Sequence, residues 1–299
     1  MSLKLPDWRV EGRDWPHSAH SRFVSCGALR WHVQVMGSGP AVLLVHGTGA
    51  SSHSFRDLMP LLAERFTVVA PDLPGHAFST ALPSFTPSPP SIAAALSELL
   101  LELKLTPIVA IGHSAGAAVI ARMALDGMMQ PQLLVGLGAA LVPFRGVANS
   151  FFSPAARLLS QSGLAAQLIA MRARDLNSVD RLVRSTGSVL GTRGVQLYQR
   201  LARYPGHVAG VLAMLAVWDL DSLFADLPKL RTPFLFLAGE GDSAIPLAQQ
   251  REVAARTPGA RLIVVSRTGH LLHEEQPAAV AQLILAEIEN TKSRGAAGA

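Results

Sequence analysis

Cysteine is almost missing from this chain. Its 299 residues include a single cysteine, Cys26. One cysteine excludes a disulfide framework within the chain and a cysteine-based zinc site, and it is typical of a reducing compartment. We therefore interpret Cys26 as a small core residue and expect a cytoplasmic protein.

Charged residues are also scarce, at 16% of the chain, whereas hydrophobic residues make up 49%. This composition is sufficient for a large core. The formal net charge of +5 comes from scattered arginines without a basic run, so we expect no nucleic-acid partner. A basic, apolar surface is compatible with peripheral contact to an anionic membrane, or with an apolar substrate that carries acidic groups.

Long hydrophobic runs are absent as well, and we expect no signal peptide. The first residues, "MSLKLPDWRVEGRDW", are charged and lack the apolar region of a signal peptide. Glycine, proline and histidine interrupt the apolar runs before they reach about 20 residues, so we predict no transmembrane helix. The last residues, "TKSRGAAGA", are predicted to be disordered.

The spacing of apolar segments predicts an α/β fold. Continuous apolar runs, typical of strands covered on both faces, occur at residues 41–47, 66–76, 107–114 and 133–140. Helical patterns lie between them, and this alternation predicts a parallel, doubly wound sheet. An alternating segment at residues 22–40 predicts an antiparallel hairpin before the parallel strands.

A helical block interrupts the alternation of strands and helices. No strand of this kind occurs between Pro143 and Asp219, and strands resume at residues 233–242 and 261–270. Helices are predicted at residues 247–256 and 277–289. We therefore predict an α/β core in two parts, residues 1–142 and 220–290, with a helical insert at 143–219 and a disordered tail at 291–299.

Polar residues follow the predicted strands, in the segments "HGTGAS", "GHSAG", "GEGD" and "GH". The carboxyl ends of parallel strands meet at one edge of a sheet, where open α/β folds carry their chemistry. Ser114 lies in a Gly-x-Ser-x-Gly motif between a strand and a helix, which predicts a nucleophile on a sharp turn. Gly112, Ala115 and Gly116 are small enough to permit that turn. The pentapeptide alone would favour a helix cap instead.

A serine hydroxyl needs a base, and His270, after the last predicted strand, is the best candidate. The alternative is that His270 is a surface loop histidine. His273, three residues later, is expected to point elsewhere. Three further histidines lie in motifs but are expected on loop walls, away from the serine: His46, His76 and His113.

The base needs a carboxylate to orient it, and "AGEGDSAIP" offers two. We favour Asp242 over Glu240 because Asp242 lies further past the strand. The oxyanion hole needs two backbone donors, for which we predict Ala115 and Thr48, with Gly49 as the alternative to Thr48. These residues require no metal and no cofactor.

The motifs together resemble the α/β-hydrolase superfamily. They are "LLVHGTGASSHSF", "VVAPDLPGHAFS", "GHSAG", "GEGDSAIP" and "GHLLHEEQP", in the superfamily's order. One departure is Ala77, where many members have glycine. The resemblance implies an eight-stranded, mostly parallel sheet with an inserted helical cap. It also implies a serine hydrolase with a Ser-His-Asp triad, acting on an apolar ester-like or carbonyl substrate.

A closer resemblance is to the BchO family of magnesium chelatase accessory proteins in bacteriochlorophyll biosynthesis. It is carried by residues 11–58, by "GHSAGAAVIARMALDG" and by residues 185–233. It implies a tetrapyrrole as a candidate ligand, magnesium chelatase subunits as candidate partners and contact with the photosynthetic membrane. Two alternatives to hydrolysis remain open, a porphyrin-binding protein that assists the chelatase and a cofactor-free perhydrolase.

The predicted cap contains apolar and aromatic residues that are candidates for an apolar pocket with an arginine rim. They are Phe151, Phe152, Met171, Tyr198, Tyr204, Leu212, Met214 and Trp218. The alternative is that they form the core of the cap itself.

Overall fold

One sheet of eight strands organises the protein. The computed structural model describes residues 3–80, 85–143 and 163–297. The strands are β1 Ser21–Cys26, β2 Leu29–Met36, β3 Ala41–Val45, β4 Thr67–Pro71, β5 Pro107–His113, β6 Leu133–Leu137, β7 Phe234–Gly239 and β8 Ala260–Val265. Their order in the sheet is β1-β2-β4-β3-β5-β6-β7-β8. β2 pairs antiparallel with β1 and β4, and all other neighbours are parallel, which confirms the predicted hairpin and sheet.

Helices connect and cover the strands. They are α1 Trp8–Glu11, α2 Leu58–Ala63, α3 Pro89–Glu102, α4 Ala115–Leu125, α5 Gly163–Arg172, α6 Leu176–Ser185, α7 Thr192–Ala202, α8 Pro205–Ala216, α9 Asp221–Asp226, α10 Leu247–Arg256, α11 Leu272–Glu275 and α12 Pro277–Ala297. Short 3-10 helices occur at Gly12–Asp14, Ser18–His20, Ser52–Phe55 and Leu227–Lys229.

The sheet separates two hydrophobic cores. Alternate residues of a strand point to opposite faces, so Val42 and Leu44 of β3 pack in one core with residues of α2 and α12. Leu43 and Val45 pack in the other core with residues of α3 and α4. Every residue of β3 is therefore buried, which explains its uninterrupted apolar sequence and confirms the doubly wound architecture.

Helices α5–α9 lie between β6 and β7, and the described part of this segment contains no strand. The N-terminal segment braces this helical cap, because Glu11 accepts hydrogen bonds from Arg200 Nε at 2.7 Å and the Tyr204 hydroxyl at 2.7 Å. The domain boundaries at residues 143 and 219 stay predictions. Phe151 and Phe152 lie outside the described residues.

The last helix differs from the prediction of a disordered tail from residue 291, because α12 continues to Ala297. Val280, Ile284 and Ile288 anchor its first half in the core. Extending an existing helix needs no new nucleation, so the polar end continues at little cost. The Thr291 hydroxyl, which donates to the Glu287 carbonyl at 2.8 Å, is part of this extension.

Membrane-spanning potential is limited among the described helices. None of them alone has the length and apolar composition to cross a bilayer. Helix α8 together with residues Asp221–Lys229 passes such a test by length and composition, with a bend of 56° between the two parts.

Buried histidines are a feature of the fold. Burial is the largest cause that lowers the pKa of His46, His53, His76, His113, His207 and His273. The pKa of His207 falls to about 4 and that of His273 to about 3, so both rings are neutral at pH 7.

These histidines predict loss of stability in mild acid. A histidine whose pKa is lower in the folded than in the unfolded state stabilises the fold fully above pH 6.5 and progressively less as the pH falls. At pH 5 we expect a loss of about 2 kcal/mol each for His207 and His273. Urea unfolding between pH 7.5 and pH 5 should show this fall in the free energy of unfolding. His273→Gln should reduce the dependence of that free energy on pH by the equivalent of about one bound proton. His20→Gln, at an exposed histidine, is the control, and a stability that is flat over this range would contradict the prediction.

Candidate active site

Ser114 lies on a strained turn between β5 and α4. Its φ of 51° and ψ of −117° are unusual for a residue with a side chain. The turn is held by a hydrogen bond from Ser114 N–H to the Leu137 carbonyl at 2.9 Å. A Cβ at Gly116 would lie 2.1 Å from the Val45 carbonyl oxygen, so only glycine permits α4 to start this close to β3. The half-buried serine therefore sits at the carboxyl edge of the sheet.

Asp242 and His270 form a buried pair at the same edge. Asp242 Oδ2 accepts a hydrogen bond from His270 Nδ1 at 2.9 Å, and the carboxylate is fully buried. Its other oxygen accepts from the backbone N–H groups of Ala244 at 2.9 Å and Ile245 at 2.8 Å. These bonds compensate the buried charge and hold the acid in one orientation.

Glu240 plays no part in this pair. It is exposed, and its carboxylate accepts from the Arg267 N–H at 3.1 Å. Of the two carboxylates in the loop, the structure brings only Asp242 to His270.

Gly138, directly after β6, lies between the turn at Ser114 and two loops. These are the acid loop, which carries Asp242, and the histidine loop, which carries His270. The Ser114 N–H donates to the carbonyl of Leu137, which precedes this glycine. The Ser114 carbonyl accepts from the N–H of Ala140, which follows it, at 3.2 Å. A Cβ at Gly138 would lie 3.0 Å from His270 Nδ1 and 3.2 Å from Asp242 Oδ2. The sequence motifs did not single out this strand end. The signal that could have identified it was a glycine immediately after an apolar strand.

His113 lies beneath the histidine loop, not on a loop wall as predicted. It is the last residue of β5, and its Nε2 bonds to the His270 carbonyl at 3.1 Å. Its ring centroid is 4.7 Å from that of His270. Burial, and then the neighbouring His273 and His270, hold the pKa of His113 well below its usual value. A neutral His113 therefore donates from Nε2 and supports the His270 backbone.

The cap holds the histidine loop from above. The Thr186 carbonyl, just after α6, accepts from His270 N–H at 3.3 Å. The Ser188 hydroxyl accepts from Leu271 N–H at 2.8 Å. No sequence motif indicated these contacts, because they join segments about 85 residues apart whose approach depends on how the cap is seated.

The turn after β3 packs against Ser114. A Cβ at Gly47 would lie 3.0 Å from Ser114 Cβ, which places the Thr48 turn beside the serine. Ala115 is the first residue of α4, so its N–H has no acceptor within the helix. The structure thus brings Thr48 and Ala115 to the serine, and their roles as oxyanion donors stay predictions, as does the choice between Thr48 and Gly49.

A mainly apolar cavity of about 370 Å³ lies among the cap helices, with Gly49 of the turn after β3 in its wall. It is lined by Gly49, Ile169, Arg172, Ala173, Ser178, Val179, Leu182, Val183, Tyr198, Ala202, His207, Val208, Val211 and Leu212. Tyr198 and Leu212 are thus the predicted pocket residues that line it.

The remaining predicted pocket residues lie elsewhere. Met214 and Trp218 are buried in the core beside α4, and Tyr204 bonds to Glu11. Met171 is 52% exposed. Met214 and Trp218 therefore belong neither to this cavity nor to a core of the cap alone, because the cluster that they join consists mainly of residues of the sheet, α3 and α4. Within residues 3–80, 85–143 and 163–297, no group of three or more histidine, cysteine, aspartate or glutamate side chains is placed to hold a metal ion.

Comparison with known proteins identifies relatives along nearly the whole chain. The family described as "Alpha/beta hydrolase family" matches residues 42–283. The magnesium-chelatase 30 kDa subunit of Rhodobacter capsulatus is 37% identical, covering 95% of this chain and 99% of the relative. The pimeloyl-[acyl-carrier protein] methyl ester esterase of Xanthomonas oryzae is 26% identical, covering 86% of this chain and 99% of the relative.

Solved structures agree with this assignment at the level of the fold. A thermophilic esterase from Thermogutta terrifontis superposes with a TM-score of 0.71 at 23% identity, covering 91% of this chain and 98% of the esterase. The chain therefore belongs to the alpha/beta hydrolase family, within which its similarity to the magnesium-chelatase 30 kDa subunit spans nearly its entire length.

Proposed function

We propose that the protein is a serine hydrolase in which Ser114 is the nucleophile, His270 the base and Asp242 the orienting acid. The observation that carries the proposal is the buried Asp242–His270 hydrogen bond, at the sheet edge where Ser114 is held on a strained turn. Relatives named as esterases support hydrolysis as the class of reaction.

The chemistry follows from these positions. His270 accepts the Ser114 proton as the serine oxygen attacks a carbonyl carbon, and Asp242 stabilises the imidazolium that forms. The N–H groups of Ala115 and Thr48 stabilise the oxyanion, assisted by the positive N-terminal end of α4. His270 then protonates the leaving group. Water, activated by the same histidine, releases the acyl group and restores Ser114.

The cap cavity supports an apolar substrate. Its wall is formed mainly by aliphatic side chains, and Arg172 is the charged residue that lines it. Apolar walls with few polar groups are typical of sites for small molecules. An ester or related carbonyl compound with an apolar body and an acidic group fits this combination.

Assistance to magnesium chelatase without hydrolysis is a second candidate function. The observation that favours it is the similarity over nearly the whole chain to a protein named as a magnesium-chelatase subunit. In this role the cavity would hold part of a tetrapyrrole, with Arg172 facing a propionate. Chelatase subunits would be its partners, at or near the photosynthetic membrane.

Ser114→Ala should abolish labelling by an alkyl fluorophosphonate, because the variant lacks the attacking oxygen. Fluorescent labelling followed by gel electrophoresis measures this directly. Ser243→Ala, which removes an exposed hydroxyl from the acid loop, is the matched control and should label like the wild type. Folded wild-type protein that resists the reagent would count against the hydrolase.

Asp242→Asn should lower kcat for p-nitrophenyl butyrate by about 10³-fold to 10⁴-fold, because the amide disfavours the required histidine tautomer. Glu240→Gln changes the neighbouring carboxylate, which has no bond to His270, and should leave kcat unchanged. Steady-state kinetics of the two variants compare them. Equal losses in both would sink the assignment of Asp242.

A deletion strain complemented with Ser114→Ala separates the two candidate functions. If hydrolysis is the biological activity, the variant should fail to restore bacteriochlorophyll although it accumulates like the wild type. Pigment extraction with protein quantification provides the measurement. Full restoration of pigment would favour the non-hydrolytic role.

A further inference from the structure

Glu275 holds two backbone segments at once. It is the last residue of α11, and its Oε2 accepts from Gly269 N–H at 2.8 Å. Its Oε1 accepts from Val189 N–H at 2.9 Å. Gly269 directly precedes His270, whereas Val189 belongs to the cap, between α6 and α7. Hydrogen bonds to an ionised carboxylate are stronger than those between neutral groups, so this one side chain joins the histidine loop firmly to the cap.

The next two N–H groups of the histidine loop bond to the same cap segment, residues 186–189. His270 N–H donates to the Thr186 carbonyl at 3.3 Å, and Leu271 N–H donates to the Ser188 hydroxyl at 2.8 Å. Ser188 is completely buried, so its bond does not compete with bulk water. Three consecutive N–H groups of the histidine loop are therefore held in place.

This cap segment also contacts the acid loop. The Thr186 carbonyl accepts a second hydrogen bond, from Ser243 N–H at 3.1 Å. A Cβ at Gly187 would lie 1.9 Å from the Gly241 carbonyl oxygen, and a Cβ at Gly269 would lie 2.2 Å from the Gly187 carbonyl carbon. The backbones approach so closely that only glycine fits at residues 187 and 269. A shift of the cap segment would therefore displace both loops.

The direction of the His270 ring depends on this backbone. The hydrogen bond from Nδ1 to Asp242 fixes one atom of the imidazole and leaves the ring free to tilt about that atom. The position of Nε2, from which the base acts in the proposed mechanism, therefore also depends on where the backbone of His270 lies. A displacement of about 1 Å in an active site can lower the rate about a hundredfold.

We propose that Glu275 is a positioning residue for His270 and ties the position of that histidine to the seating of the cap. By accepting from Gly269 N–H and Val189 N–H together, it makes the histidine loop and the cap segment one unit. The base is then aligned only while the cap is in place. Glu275 acts through the loop backbone and takes up no proton in the reaction. This inference rests on the proposed hydrolase function.

Two substitutions of Glu275 grade the loss of its bonds. Glu275→Ala removes both acceptors, whereas Glu275→Gln retains an oxygen at only one of the two positions. We expect Glu275→Ala to lower kcat for p-nitrophenyl butyrate, and the rate of fluorophosphonate labelling, by about tenfold to a hundredfold with little change in KM. Glu275→Gln should show a smaller loss of both rates.

The control is Glu240→Ala, at a carboxylate that lines the same surface cleft as Glu275. Glu240 also accepts from a backbone N–H of the loop after β8, that of Arg267, but from none of the three held N–H groups. Its kcat should equal that of the wild type. Urea unfolding identifies conditions in which every variant is fully folded, and kcat is compared there. A wild-type kcat in folded Glu275→Ala, or an equal loss in Glu240→Ala, would overturn the proposal.

Hydrogen exchange followed by NMR tests the inference independently of hydrolysis. The amides of His270 and Leu271 keep their own acceptors on the cap in Glu275→Ala, yet they should exchange about fivefold to tenfold faster if Glu275 ties the loop to the cap. If wild-type protein neither labels nor hydrolyses esters, the hydrolase function fails, but these two amides still report the coupling. Unchanged exchange of both amides would refute the positioning role.

Discussion

The buried carboxylate of Asp242 is the constraint around which the candidate site is arranged. A charge without solvent must be compensated, and two backbone N–H groups together with His270 do so. Compensation of this charge requires the loops after β7 and β8 to meet. The turn at Gly138 must also leave room for both side chains, and that same turn is bonded to the backbone of Ser114.

The cap is part of this arrangement rather than a separate cover. Thr186 and Ser188 hold the histidine loop, and His207 accepts a hydrogen bond from Ala77 in the loop after β4. Polar groups buried at a contact between two structural parts are costly unless paired, so the cap has few alternative positions. Mild acid, which favours the charged forms of the buried histidines, should therefore loosen the cap and core together.

Local patterns explain why much of the fold could be predicted. Uninterrupted apolar runs such as β3 indicate strands buried on both faces, and the glycines around Ser114 indicate a sharp turn. The end of α12 could not be predicted from such local patterns. Its composition suggests disorder, but the buried first half of the helix supplies the nucleus from which the polar end extends.

Residue order and spacing were thus enough to establish the strands, the turn at Ser114 and a short set of candidate partners, because these depend on neighbours in the chain. The sequence already favoured Asp242 over Glu240, but the hydrogen bond between Asp242 and His270, the place of His113 beneath His270 and the contact of His207 with the loop after β4 required the folded molecule. Each joins segments distant in sequence. Their approach depends on how the sheet, its loops and the cap pack together, and no local periodicity records that packing.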